Sequence, residues 1–259
     1  MSSADNLSTH YPSLANKHVF ITGGGTGIGE AMVRGFCQQG AKVTFIDIAV
    51  QASEKLVSSL NSCCAYRPQF IHCDIRDTEA LQQAINDAAE HFGPIAVLVN
   101  NAADDTRHNF DTLDQAYWDE RFAINLRPCF FAAQAVVPQM KSLGGGSIIN
   151  MGSVSWRIKQ TGMPAYTTAK AAIEGLTRSL AATHGHERIR VNTLVPGWVM
   201  TQKQLSHWLT PEMMEEVRHN QCINENLEPQ HIVDAALFLG ADDSKMMTAQ
   251  SMVIDGGWT

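Results

Sequence analysis

Tyr166 and Lys170 stand four residues apart in PAYTTAK, residues 164–170, with only Thr167, Thr168 and Ala169 between them. On a helix that spacing puts both side chains on one face, within reach of one ligand. A free tyrosine has a pKa near about 10 and is protonated at neutral pH, but an ammonium one turn away favours the phenolate. Tyr166 is therefore a candidate base, and the small residues beside it leave room for a ligand to approach. Ser153, ending the apolar run SIINMGS (147–153), could hold a reacting oxygen for the proton transfer. Taken singly, each has a plainer reading: a packed tyrosine, a surface lysine, a turn serine.

These residues need a frame to meet. Apolar runs read as strands at HVFIT (18–22), KVTFID (42–47), FIHCD (70–74), AVLVNN (96–101), SIINMGS (147–153), RVNTLVP (190–196) and SMVIDG (251–256). Helical spacing follows the first strand until Gly40, and again after 74, with Thr78 as the expected N-cap and Leu81, Ile85 and Ala88 on one face. A single long helical region is expected from about Asp114 to Lys141, another around PAYTTAK through Ile173, Leu176 and Leu180, and a last one over 229–240. Continuously apolar strands alternating with helices predict an α/β doubly wound fold of the Rossmann kind, with a seven-stranded parallel sheet and helices on both faces. In such sheets ligands bind at the carboxyl ends of the strands, where Ser153 and the motifs below fall.

The first strand runs into TGGGTGIG (22–29) ahead of a helix. Gly23, Gly27 and Gly29 let the backbone turn and approach a pyrophosphate, and the helix N-terminus offers free N–H groups. Thr26 and Ile28 lie in the same loop. Asp47 ends the second strand, where a carboxylate binds the adenosine ribose hydroxyls; the other reading is a capping aspartate. A 2′-phosphate would meet Asp47 with like charge, and neither Thr26 nor Ile48 offsets it, so NAD is expected over NADP. Asp74 and Ile75 fit against an adenine, or Asp74 is a strand-end turn residue. Asn101, Ala102 and Ala103 bring small residues to the fourth strand's end.

With TGGGTGIG, NNAA, Asn125 in INL, Ser153 in MGS, YTTAK and PGWVMT (196–201), the chain resembles the short-chain dehydrogenase/reductase family over nearly its whole length. The resemblance implies catalysis by Asn125, Ser153, Tyr166 and Lys170. Lys170 would also bind the nicotinamide ribose. Asn125 would bend its helix and hold a water that links Lys170 to solvent. Pro196, Gly197, Val199 and Thr201 would seat the carboxamide. No metal is required. YPSL, NNAADDTRH, YWDER, GSVSW, AAIEGLTR and WLTPE are further similar to the bacterial NAD-dependent D-xylose (aldose) 1-dehydrogenases of that family, which implies oxidation of a sugar's anomeric hydroxyl to a lactone. A sugar site needs hydrogen-bonding groups and an aromatic plane. Asp105, Arg107, Ser153, Ser155, Trp156, Tyr166 and Trp198 could supply them. The alternatives are an ion pair of Arg107 with Asp104 or Asp111, and packing for Trp156. His108 reads as a loop hydrogen-bonder. Trp198 stands where those enzymes carry a smaller polar residue, and Ala103 replaces the usual glycine after NNA, which requires a backbone angle that a Cβ tolerates.

The rest of the chain sets bounds. At 259 residues and 44% apolar content one domain over 17–259 is expected, behind a polar N-terminal tail at 1–16 and with a substrate lid at about 198–222. Thr210 as N-cap, Pro211, and the stripe Met213, Met214 and Val217 predict a helix in that lid. A formal charge of −7 argues against nucleic acid or anionic membrane and for a small-molecule sugar or polyol partner. No apolar run spans a membrane, and the N-terminus has no apolar signal core. Six cysteines at 37, 63, 64, 73, 129 and 222 form no zinc or disulfide spacing, which predicts a reducing compartment, the cytoplasm. The resemblance implies a homotetramer through the helices of Asn125 and Tyr166. A polyol dehydrogenase, a ketone or 3-oxoacyl reductase and a non-catalytic NAD-binding regulator are the competing functions.

Overall fold

In the computed structural model, residues 9–61, 64–207 and 210–259 are described. Cys63, and Trp208 and Leu209 of WLTPE, lie outside the described residues. Seven strands pair in parallel: β1 (His18–Thr22), β2 (Lys42–Asp47), β3 (Gln69–His72), β4 (Val97–Asn100), β5 (Gly146–Met151), β6 (Ile189–Pro196) and β7 (Ser251–Ile254), in the order β3-β2-β1-β4-β5-β6-β7. The chain winds outward from β1 to β3, then returns to β4 on the other side of β1. Between the carboxyl ends of β1 and β4 the order reverses, which opens a crevice for a ligand.

Alternation along the strands divides the core. Val19 and Ile21 face one side with Met32 and Phe36 of α1 (Gly27–Gln38), while Phe20 faces the other. A helix that the sequence reading omits, α2 (Val50–Leu60), buries Ser53, Leu56, Val57 and Leu60; its three buried large apolar residues pack on the first side and make a thin stripe in a polar segment. On the second side, α3 (Thr78–Phe92) packs Leu81 and Ile85. Its N-cap is Asp77, whose carboxylate accepts from Ala80 N, and Thr78 is the first helical residue. Both types can cap, and the carboxylate one position earlier takes the role.

The helical region expected over 114–141 is two helices, α4 (Gln115–Asn125) and α5 (Arg127–Ser142), separated at Leu126 with φ −133° and ψ −54°. Pro128 stands in the first turn of α5, where its missing N–H leaves no intrahelical bond unmade, so it suits a helix start just after Leu126, whereas Pro138 is accommodated inside α5. α6 (Pro164–His184) then lies beside α4. After β6 come α7 (Gln202–His207) and α8 (Pro211–Asn220), where Thr210 accepts from Met213 N at 3.3 Å and Val217 is buried. Next, α9 (Pro229–Gly240) packs against α1, closely enough that a Cβ on Gly35 would meet Val233 Cγ1 at 2.4 Å.

The expected tail is packed in part. Leu14 is fully buried in the first core, and Tyr11 N donates to Gln39 Oε1 at 2.7 Å. Among the described residues no helix is long and apolar enough to cross a membrane.

Candidate active site

β5 ends at Met151, and two residues later Ser153 caps a short 3-10 turn, its Oγ accepting from Ser155 N at 3.1 Å. α6 starts at Pro164 and presents Tyr166 to the same cleft, where the Ser153 hydroxyl favours the ionised form of the phenol. One turn on, Lys170 is buried and its Nζ donates to Met151 O at 2.8 Å, with the ammonium 5.6 Å from the centre of the Tyr166 ring. Strand end, turn and helix thus bring three residues separated by up to 17 positions to one point. Asn125, the last residue of α4, is buried nearby in the fold's α4–α6 layer and clamps the loop after β4: its Oδ1 accepts from Asp104 N at 2.9 Å and its Nδ2 donates to Asp104 O at 3.1 Å.

The nucleotide end forms at the crevice. α1 begins after Thr26, whose side chain makes no cap, so the helix's first N–H groups face outward from the loop. Gly23 and Gly27 have φ of 67° and 58°. A Cβ on Gly29 would stand 1.8 Å from Gly23 O, a contact no side chain could make. Such a cradle lets the backbone approach a phosphate group at the helix N-terminus. Asp47 turns its carboxylate to the same loop, accepting from Gly25 N and Ala49 N, each at 2.8 Å. Ile48 is 64% exposed beside it, and Thr26 is exposed. Asn101 Nδ2 ties the loop down by donating to Thr22 O and Gly23 O, and Ala103 keeps a negative φ. Asp74 is ion-paired to Arg76 at 2.6 Å and accepts from Arg76 N, so it makes the strand-end turn; Ile75 packs on the second core.

A cleft of about 170 Å³ joins the two ends, lined among others by Ile28, Arg107, Ser153, Tyr166, Trp198 and Thr201, with Pro196, Gly197 and Val199 on its wall. Two of the expected substrate residues are elsewhere. Ser155 is buried behind the turn, and Trp156 lies at the surface, 36% exposed, with the Arg157 guanidinium 5.1 Å from its ring centre. Both belong to the 3-10 turn at 154–156 and neither lines the cleft, which a linear reading of GSVSW does not show. Arg107 Nη1 donates to Asp105 O at 3.0 Å and to Met163 Sδ at 3.4 Å, and among the described residues no ion pair joins it to Asp104 or Asp111. Asp104 pairs with Arg121 instead. His108 bonds within its loop, to Thr106 O, and accepts from Ala165 N at 3.3 Å.

Comparison with known proteins decides the lineage. The family described as enoyl-(acyl carrier protein) reductase matches residues 23–259. A protein of Rhizobium meliloti described as a probable galactose dehydrogenase, GalD, is 43% identical over 250 residues, 96% of this chain and 98% of that one. D-xylose 1-dehydrogenase of Caulobacter vibrioides is 43% identical over 97% of this chain and 99% of its own. The chain belongs to the short-chain dehydrogenase/reductase family. Its fold superposes with a TM-score of 0.90 on a 7α-hydroxysteroid dehydrogenase solved with NADH, 30% identical over 99% of this chain and 97% of that one. As a short-chain dehydrogenase/reductase it is an oxidoreductase acting on CH–OH groups with a nicotinamide cofactor.

The electrostatics of this short-chain dehydrogenase/reductase depart from the simplest expectation for YTTAK. Burial first, then the Asp105 charge, push Tyr166 above the ordinary tyrosine value, while the Ser153 hydrogen bond and Arg107 pull the other way. The expected lowering by Lys170 is not seen: the ammonium is committed to Met151 O, and burial lowers its own pKa to about 8. Asp105 is the acidic group that most opposes the Tyr166 phenolate. Its carboxylate accepts from Lys203 Nζ at 2.5 Å and Gln204 Nε2 at 2.8 Å, tying the loop after β4 to α7. Thr22, Lys203 and Gln204 were missed in the sequence. Thr22 sits inside TGGGTGIG, and its Oγ1 accepts from Asn101 N and Ala102 N, each at 3.0 Å, so the motif held a signal. Lys203 and Gln204 follow PGWVMT in an unpatterned polar stretch that holds none.

Proposed function

We propose that the protein is an NAD-dependent dehydrogenase that oxidises the anomeric hydroxyl of an aldose to the lactone. The observation that carries this reading is that Ser153 and Tyr166 line one cleft together with Ile28 of the glycine loop, with Lys170 buried one helical turn on from Tyr166. Ser153 and Tyr166 hold the substrate hydroxyl oxygen between them, and the Tyr166 Oη takes its proton. Oxidised NAD, when bound, supplies the hydride acceptor and one positive charge on its nicotinamide ring. Gly23, Thr26, Gly27, Ile28 and Gly29 hold the pyrophosphate, Asp47 the adenosine ribose, and Pro196, Gly197, Val199 and Thr201 the carboxamide. Lys170 binds the nicotinamide ribose. Asn125 fixes the loop that carries Asp104 and Asp105.

Support for NAD over NADP comes from Asp47, which points its charge at the loop where a 2′-phosphate would lie. Support for a sugar comes from the two relatives that are 43% identical, a probable galactose dehydrogenase and a D-xylose 1-dehydrogenase. Galactitol 2-dehydrogenase of Cereibacter sphaeroides, 34% identical over 92% of this chain, keeps a polyol as the second reading. A reductase of carrier-bound ketones suits neither Asp47 nor the −7 charge. We further assign a homotetramer built on α4 and α6, and a cytoplasmic location; the thiols of Cys73, Cys129 and Cys222, which form no disulfide, support a reducing compartment.

The test is NADH absorbance with a panel of aldoses, polyols and hydroxy acids, with the lactone trapped by hydroxylamine. Turnover with an aldose and a trapped lactone are expected. NAD binding without turnover of any substrate would instead favour the regulator.

A further inference from the structure

Two polar atoms shut from water on the walls of the cleft have no hydrogen-bond partner among the described residues: Trp198 Nε1, a donor, and Gln204 Oε1, an acceptor. Leaving such groups unpaired costs stability, so a pair of them beside a candidate base points to a ligand that supplies both complements. A hydroxyl does so, because it donates through its proton and accepts through its lone pairs. The orientation of Gln204 is fixed by chemistry. A carboxylate can only accept, so the amide nitrogen faces Asp105 Oδ2 at 2.8 Å and the carbonyl end faces away from it. Asp105 is in turn held by Lys203 Nζ at 2.5 Å.

We propose that Gln204 Oε1 and Trp198 Nε1 are the atoms that read the hydroxyls flanking the oxidised carbon, Gln204 accepting from one and Trp198 donating to another, with Asp105 as the positioning residue that sets the amide. The ligand class is a compound with at least two hydroxyls near the reacting one, and the assignment rests on the sugar reading above.

The experiment compares kcat/KM for the best aldose with kcat/KM for each of its monodeoxy analogues, in wild type, Gln204→Met and Trp198→Phe. In the wild type, at least one analogue should be poorer by about tenfold or more because it leaves Gln204 Oε1 unpaired, and that ratio should collapse toward unity in Gln204→Met. A different analogue should show the same behaviour with Trp198→Phe. As a readout independent of turnover, tryptophan fluorescence of the wild type should change on titration with the aldose, and the change should be smaller in Trp198→Phe. Ratios unmoved by either substitution, in an enzyme that oxidises aldoses, would overturn this assignment alone. A wild type that oxidises simple monohydroxy alcohols and no polyol would overturn the sugar reading, and the hydroxyl pair with it.

Discussion

The Lys170 ammonium donates to the Met151 carbonyl oxygen at 2.8 Å and stands 5.6 Å from the centre of the Tyr166 ring. One side chain thereby joins the end of β5 to the helix that carries Tyr166. The contact explains how the fold tolerates a buried cation: the carbonyl meets one of its protons, while burial makes the charged form costly and brings its pKa from 10.5 to about 8.

That cost has a pH signature. The folded protein binds the Lys170 proton less firmly than the unfolded chain does, so the penalty is fully present below about pH 8 and is relieved as pH rises toward 10.5. Lys170→Met lacks the titration. In cofactor-free protein, urea unfolding at about pH 7 and about pH 10 should show the wild type gaining stability relative to Lys170→Met at the higher pH. A difference that stays constant with pH would mean that Lys170 is solvated in the folded state.

Asp105 is the negative charge that most disfavours the Tyr166 phenolate, second only to burial itself. Replacing it by asparagine removes that charge and lowers the phenol's pKa. The base form then appears at lower pH, so the rising limb of the kcat/KM profile in the oxidative direction should move toward acid in Asp105→Asn. A limb that stays in place would show that Tyr166 does not sense this carboxylate during turnover.

The Gly25 and Ala49 N–H groups fix the Asp47 carboxylate at the cradle. Asp47→Ser should narrow the NAD over NADP preference in kcat/KM by about tenfold or more, chiefly by relieving repulsion of the 2′-phosphate. An unchanged ratio would assign ribose recognition to another group.

How much of this was legible in the sequence depended on whether the signal was local. β1 and α9 are read at their observed bounds because each is a continuous apolar or periodic run between glycine, proline or charged punctuation. The glycine cradle and the Tyr166–Lys170 pair were legible for the same reason: one turn or one helical step holds them. The expected bend at Asn125 is a full break at Leu126; apolar spacing continues through it, and Pro128 is an ambiguous cue, since Pro138 further on lies inside α5. α2 was missed since its polar composition hides a stripe of three large apolar residues. Ser155 and Trp156 were misplaced because a single 3-10 turn decides where adjacent side chains point. The Asp105–Lys203–Gln204 tie joins positions 98 and 99 residues apart, a separation no spacing rule can bridge.

The central claim is that the Tyr166 oxygen takes the substrate proton, and Tyr166→Phe tests it most directly because it removes that oxygen and leaves the ring. With saturating NAD and aldose, the variant should lose turnover by about a hundredfold or more while its NAD dissociation constant changes by less than about threefold. Turnover comparable to the wild type would contradict the account.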